Sequence, residues 1–444
     1  MKILPMLACL SWGYLWPQTT VEDYRVYTEH PRLFLQPRKL RMLKRERERQ
    51  TPRWQQFDQL IKSKAQMAEP GFALALYSQV SGETDYCFEA VRSSQSAGTD
   101  VRQLALVFDW CQAALSPEAS AEMAGRLERS ATQAANGPGV AALRDRVLAA
   151  IALAGHRQAF SERELQDAIE KRWQGEIVAS IEGHRDALPR EETLALAEIL
   201  HGVRDNLNVD LREPLTDYFR DLPALLLAGY YPRPYPAAEN AYQIPAASGG
   251  GEPDLRRAAL SRAGELSLVA YDSNTRESQF LQGWLMRDTF LMRGPLGVPY
   301  EFLWANPYLP GLSYHHAPLF FHDRWLGRLF VRSSWNEDAT WLGYFGGELQ
   351  VAGKDGVRIV THQPASKPLR LGDVAVIAAS GATVFRLDAT DLWHVFLLGL
   401  RRGADYEVKV GDAKPARNAA DPGGILHIPL EPEPSIEIRI RALK

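Results

Sequence analysis

The chain has 444 residues, 45% of them hydrophobic and 24% charged, with a formal net charge of -3. That is an ordinary globular composition with room for two or three domains. The slightly acidic balance argues against a basic nucleic-acid-binding stripe, and three cysteines are too few for a disulfide scaffold or a cysteine zinc site.

Residues Met1 to Trp16, "MKILPMLACLSWGYLW", carry one early lysine and then an uncharged apolar stretch. It is short for a membrane span and suits a secretory signal, so residues 1–18 are expected to direct export, cleaved or as an anchor. No clean small-x-small cleavage site follows, and a buried N-terminal apolar segment is the alternative. The dense basic run from Arg38 to Arg49 is interrupted by glutamates and reads as a solvated helix face.

From Pro37 to about Met292 the text is helical. "TDVRQLALVFDWCQAAL" puts Val101, Leu104, Ala105, Phe108 and Cys111 on one stripe, with Thr99 or Asp100 as N-cap. "SPEASAEMAGRLERS" follows, with Ser116 as N-cap and Pro117 at the first helical position. Similar units recur from Ser161, Pro189 and Glu252. About ten to twelve helices with short connections and no fixed repeat predict stacked hairpins closing into an α/α toroid, or an arc of one. Cys87 and Cys111 both fall in these patterns and read equally well as two buried thiols or as a disulfide.

After Pro318 the texture changes. "GRLFVRSSW", "DATWLGYFG", "GVRIVTHQ", "DVAVIAAS", "HVFLLGL", "DYEVKVGD", "GILHIPL" and "SIEIRIRAL" are short, β-rich and bounded by turns. They predict an antiparallel β-sandwich of eight to ten strands. The expected organisation is a leader over 1–18, a helical toroid with its linker over 19–318, and a β-sandwich over 319–444.

Four stretches resemble the heparinase II/III-like polysaccharide lyases and their alginate-lyase relatives: "HPRLFLQPRKLRMLKR" from His30, "ALYSQVSGETDYCFEAV" from Ala75, "LVFDWCQAALSPEASAEMAGRL" from Leu106 and "VRSSWNEDATWLGYFGG" from Val331. The resemblance implies a toroid plus sandwich that cleaves uronate-containing polysaccharides by β-elimination. In that family the last stretch is commonly followed by a His-rich run that holds a metal and supplies a catalytic histidine. Here "ELQVAGKDGVRIVTHQPASKPL" follows, with the single histidine His362 and no paired-ligand spacing. No metal is therefore assigned, and no cofactor or nucleotide is expected.

Elimination from a uronate needs a neutralised carboxylate, a base for the ring proton and an acid for the leaving oxygen. "GVPYEFLWANPYLPGLSYHHAPLFFHD" supplies Tyr300, Trp304, Asn306, Tyr308, Tyr314, His315, His316 and His322 between the two predicted domains. "HGVRDNLNVDLREPLTDYF" supplies Arg204, Asn206 and Arg212, suited to an acidic glycan; the same stretch also fits a helix junction capped by Asn208 or Asp210. The long Tyr/Pro-rich loop from Tyr230 to Asp254 adds Tyr235, Glu239, Asn240 and Tyr242.

The expected catalytic set is Tyr314, His315 or His316, and Asn206. Arg204, Arg212, Tyr242, Trp304, Asn306 and Tyr308 are the expected contacts to an acidic polysaccharide. The competing readings are a degenerate glycan-binding or structural protein of the same fold, and a glycoside hydrolase using carboxylates such as Asp205, Asp210 and Glu239. No G-x-S-x-G, H-E-x-x-H or dinucleotide fingerprint occurs.

Overall fold

A computed structural model of the chain describes residues 24–96, 98–134, 137–185, 188–236, 241–249, 253–287, 294–361, 367–379 and 381–443. The leader reading, with Cys9, and the candidates Glu239, Asn240 and His362 lie outside the described residues. Six helices form an inner ring: Pro70–Ser81, Val101–Cys111, Gly139–Leu153, Thr193–Leu207, Leu255–Tyr271 and Gly294–Trp304. Each touches the next, and the last returns to the first and to Pro52–Lys62, so the ring is closed. Returning helices, among them Asp85–Ser94, Pro117–Ala134 and Arg276–Leu285, alternate with the inner ones.

Local chemistry sets the helix starts. Asp100, not Thr99, caps the second inner helix by accepting from Arg102 N, and Ser116 accepts from Ala119 N. Asn208 ends the helix Thr193–Leu207 in the left-handed conformation at φ 57° and does not start the next one; its N–H bonds Arg204 O. The single stripe expected for Val101–Cys111 is too narrow, because all eleven of its residues are buried. An inner-ring helix has neighbours on every side, so Arg102, Gln103 and Asp109 are enclosed along with the apolar positions.

The segment Tyr24–Gln36 closes one mouth of the ring. Arg32 donates to Ile151 O and Ala154 O, and Gln36 to Asp205 O. These carbonyls lie at the C-terminal ends of inner helices, where the intrahelical donors run out. Fully buried Asp109 holds the segment by accepting from His30 Nδ1 and from the N–H groups of Arg32 and Leu33.

Cys87 and Cys111 form a disulfide joining an outer to an inner helix across 24 residues of sequence. Closing a loop of that size restricts the unfolded chain by about 3 kcal/mol. Reduction is expected to lower the urea-unfolding free energy by that order, and a loss below about 1 kcal/mol would refute a structural role for the bond.

The last helical turn, Tyr314–His316, is followed by the strand Phe320–Asp323. Thirteen strands lie between Phe320 and Ala442 among the described residues, more than the eight to ten expected, and they form three sheets. The first has five strands, Phe320–Asp323, Arg328–Arg332, Trp341–Phe345, Glu348–Gly353 and Gly356–Ile359, in sequence order. The second orders Leu426–Pro429, His394–Leu398, Val374–Ala378 and Leu369–Leu371; the third orders Val384–Ala389, Glu433–Ala442, Asp405–Val410 and Ala416–Ala419.

Pairing is antiparallel except between His394–Leu398 and Val374–Ala378, which run parallel. The chain crosses to the third sheet through Val384–Ala389 before returning, which brings it back in the same direction.

Strand alternation stacks the layers. Leu329, Val331, Leu342 and Tyr344 of the first sheet meet Val374, Val376, Phe396 and Leu398 of the second. The opposite faces of those second-sheet strands, including Ala375, Ile377, Val395 and Leu397, meet the third sheet. This two-sided burial explains why "VAVIA" and "HVFLL" read as continuous apolar runs.

The other face of the first sheet, with Phe330, Trp341 and Ala352, belongs to the core of the helical ring. Trp341 Nε1 donates to Ala228 O at 2.9 Å, and Arg332 donates to Tyr230 O at 2.9 Å. The motif "RSSWNEDATW" is thus the seam between ring and sheets.

Candidate functional site

The two groups of expected site residues are not brought together. Asn206 is 2% exposed and hydrogen-bonded on both amide atoms. Its Nδ2 donates to Gly202 O and Arg32 O, and its Oδ1 accepts from Thr28 Oγ1. It anchors the N-terminal segment and faces no cleft.

Arg204 donates to Asp205 and to Tyr271 O, while Arg212 grips Asp210 and Asp272. Both guanidiniums lie over the Tyr271 ring, at 3.7 and 4.6 Å. Burial pushes the Asp210 carboxyl up, but Arg212 and the Tyr271 hydroxyl outweigh it, leaving Asp210 below its usual range. These arginines are held by the chain's own carboxylates.

Tyr314 stands edge-on to Trp284 at 5.0 Å and is stacked by His315 at 4.4 Å. Trp284 lies near the end of the helix Arg276–Leu285, whose start follows Tyr271 closely. Tyr314 therefore packs near the far end of this helix from Tyr271 and the two arginines. His315 and His316 are exposed in a helical turn.

Trp304 is buried between Phe34 and His201 and cannot offer its face to a sugar. Asn306 Oδ1 accepts from Tyr308 N, while the Tyr308 ring is 65% exposed. Tyr242 pairs with Tyr235 in a two-residue hairpin and is half-buried.

A groove lies elsewhere, between the ring and the first sheet. It consists of two hollows of about 290 and 250 Å³ that share Ala247 and Arg257. The first is walled by the segment Tyr231–Pro236, by Asp254 and Arg257 at a helix start, and by Gly353 and Val357 of the sheet. The second is walled by Arg190, Glu191, Glu192 and Thr193 on the ring side and by Arg328 and Phe345 on the sheet side.

Ala247 belongs to both hollows, and a buried amide helps to place it. Gln350, fully buried in the strand Glu348–Gly353, donates to Ala247 O at 2.8 Å and accepts from Tyr231 Oη at 2.6 Å. Ala246 N also bonds Gly229 O at 2.8 Å. Burial raises the Tyr231 phenol, which stays neutral as a donor.

The cations of the groove differ in commitment. Arg190 is locked to buried Glu265 at 2.6 Å and to Ser261, and it stacks on Tyr230. Arg257 faces Glu191 at 2.9 Å in a pair open to solvent on both sides. Such exposed pairs are worth about 1 kcal/mol or less, so Arg257 can exchange partners at little cost.

The sequence reading reached this region only through the Tyr/Pro-rich loop and Tyr235. Arg257, Glu191 and Gln350 carry no local signal, because the ring start, the loop and the sheet meet only in three dimensions. Among the described residues, no group of three or more His, Cys, Asp or Glu side chains is arranged to hold a metal, and no helix is long and apolar enough to cross a membrane.

No protein-family model matches the chain, and no curated protein is similar to it. The heparinase II/III-like resemblance rests on the quoted motifs alone. Among solved structures the chain is similar to one described as a glycoside hydrolase, at a TM-score of 0.29 and 9% identity, covering 84% of this chain and 71% of that one. A likeness so slight carries no argument about function.

Proposed function

We propose that the protein binds an acidic carbohydrate chain in the groove between ring and first sheet. The observation that carries this reading is the weakly committed Arg257, set where two hollows join and flanked by the Tyr/Pro-rich wall. A uronate or sulfated sugar offers the anion that a guanidinium exchanges for Glu191, and the tyrosine and proline faces suit sugar rings. β-Elimination is the finer version of the same reading. The non-catalytic version is favoured, because the expected base and carboxylate neutralisers stand apart. Export to an oxidising compartment accords with the Cys87–Cys111 disulfide.

Calorimetry with size-defined uronate, sulfated and neutral oligosaccharides tests the binding. Arg257→Ala is expected to weaken the acidic ligand by roughly 10- to 100-fold, the value of a charged hydrogen bond. No binding to any acidic oligosaccharide, or unchanged affinity in the variant, would sink the proposal. Appearance of the ultraviolet absorbance of an unsaturated uronate would restore the lyase reading.

A further inference from the structure

Three histidines distant in sequence meet where the first and second sheets face each other. His394 Nδ1 lies 3.1 Å from His427 Nε2 on the adjacent strand, with the rings 5.2 Å apart. His427 stacks flat on Phe396 at 4.5 Å, and Phe320 of the first sheet covers His394 at 4.7 Å. From the first sheet His322 approaches His427 at 6.2 Å between ring centres. Its Nε2 bonds Asp421 at 2.7 Å, while its buried Nδ1 has no partner among the described residues; the side chain is 8% exposed. Asp421 is itself fixed by the N–H groups of Gly423 and Ile425.

The other charged groups nearby are Arg324, in the turn after the first strand, and Asp323, which accepts from Trp325 N and Leu326 N beside Arg328. Among the described residues, the carboxylate bonded to the cluster is Asp421, which His322 engages.

Two imidazole nitrogens 3.1 Å apart hold together only when one proton lies between them. One added proton leaves an imidazolium donating to a neutral imidazole, and the bond holds; protonation of both rings turns it into a contact between two cations in a half-buried seam. We propose that His322, His394 and His427 form a proton-operated clasp between the first and second sheets. The seam is closed while one proton lies between His394 Nδ1 and His427 Nε2, and opens when both rings are protonated.

Burial, followed by the charges of His394 and His322, pushes the His427 imidazole down to about 4. Its unfolded counterpart titrates near 6.5, so the open or unfolded state binds more protons between these values. The closed form is therefore favoured above that window and loses its advantage as pH falls through it. The strand Arg328–Arg332 and Phe345 also wall the groove, so opening would reach it; that consequence alone rests on the carbohydrate reading.

Hydrogen exchange of the amides in Phe320–Asp323 and Arg328–Arg332, corrected for intrinsic rates, tests the clasp without any ligand. Exchange is expected to speed up at least about tenfold between about pH 7 and pH 4.5 in the native chain, and not in His427→Phe, whose ring keeps the stack on Phe396. Exchange that does not respond to pH, or that responds equally in the variant, would overturn the proposal. Should that variant not fold, imidazole titration of the native chain by NMR decides: both His394 and His427 protonating near the ordinary 6.5 would overturn it as well.

Discussion

Replacing Arg102 with methionine is expected to destabilise the helical ring by about 3–5 kcal/mol, the usual result of stripping one partner from a buried ion pair. Arg102 and Glu198 are both buried on facing inner helices, joined by bonds of 2.7 and 2.9 Å. The guanidinium also reaches Glu69 at 2.6 Å, and Glu69 accepts from the Tyr300 hydroxyl. Phe72 and Tyr300 pack on its plane. Burial would push the guanidinium down, but Glu198 and then Glu69 more than reverse this and keep it charged.

Without Arg102, the cation left to Glu198 among the described residues is Arg144, at 3.8 Å. The double change Arg102→Met with Glu198→Leu should therefore lose less than Arg102→Met alone, because no buried charge is stranded. Urea unfolding followed by circular dichroism reads both values. A single-variant loss under about 1 kcal/mol, or a double variant worse than the single, would contradict the account.

That network shows which features the sequence displays and which it hides. Asp100 and Ser116 are legible as caps because a cap is settled within three residues. The β-rich runs after Phe320 are legible because strand alternation is local. Ring closure is not, since it joins Gly294–Trp304 to helices more than two hundred residues earlier.

The partners of the expected site residues are hidden for the same reason. Asn206, Arg204 and Arg212 look like free polar groups in a loop, and only the fold reveals Thr28, Asp205 and Asp272 as their partners. Conversely, Gln350 sits in an unremarkable strand and His322, His394 and His427 are scattered. Stacking of the sheets, which no short window encodes, gives them their roles.

Trp341→Ala is expected to destabilise the chain by about 3–5 kcal/mol and to loosen the sheets from the ring. The indole is fully buried, stacked against Phe330 at 5.8 Å and met edge-on by Tyr231 at 5.1 Å, with its N–H on Ala228 O. Its loss removes a large apolar group and strands a carbonyl at the end of the helix Thr216–Ala228, where Arg332 remains at 3.4 Å.

Gly343 lies on the same strand, and a Cβ there would sit 2.2 Å from the Trp341 ring. Gly343→Ala should thus be strongly destabilising alone, by roughly 1–3 kcal/mol for an overpacked core. In the Trp341→Ala background the obstructing ring is gone, and the same glycine change should cost little. Additive losses in this double-mutant cycle would show that Gly343 is required for some reason other than the space taken by Trp341.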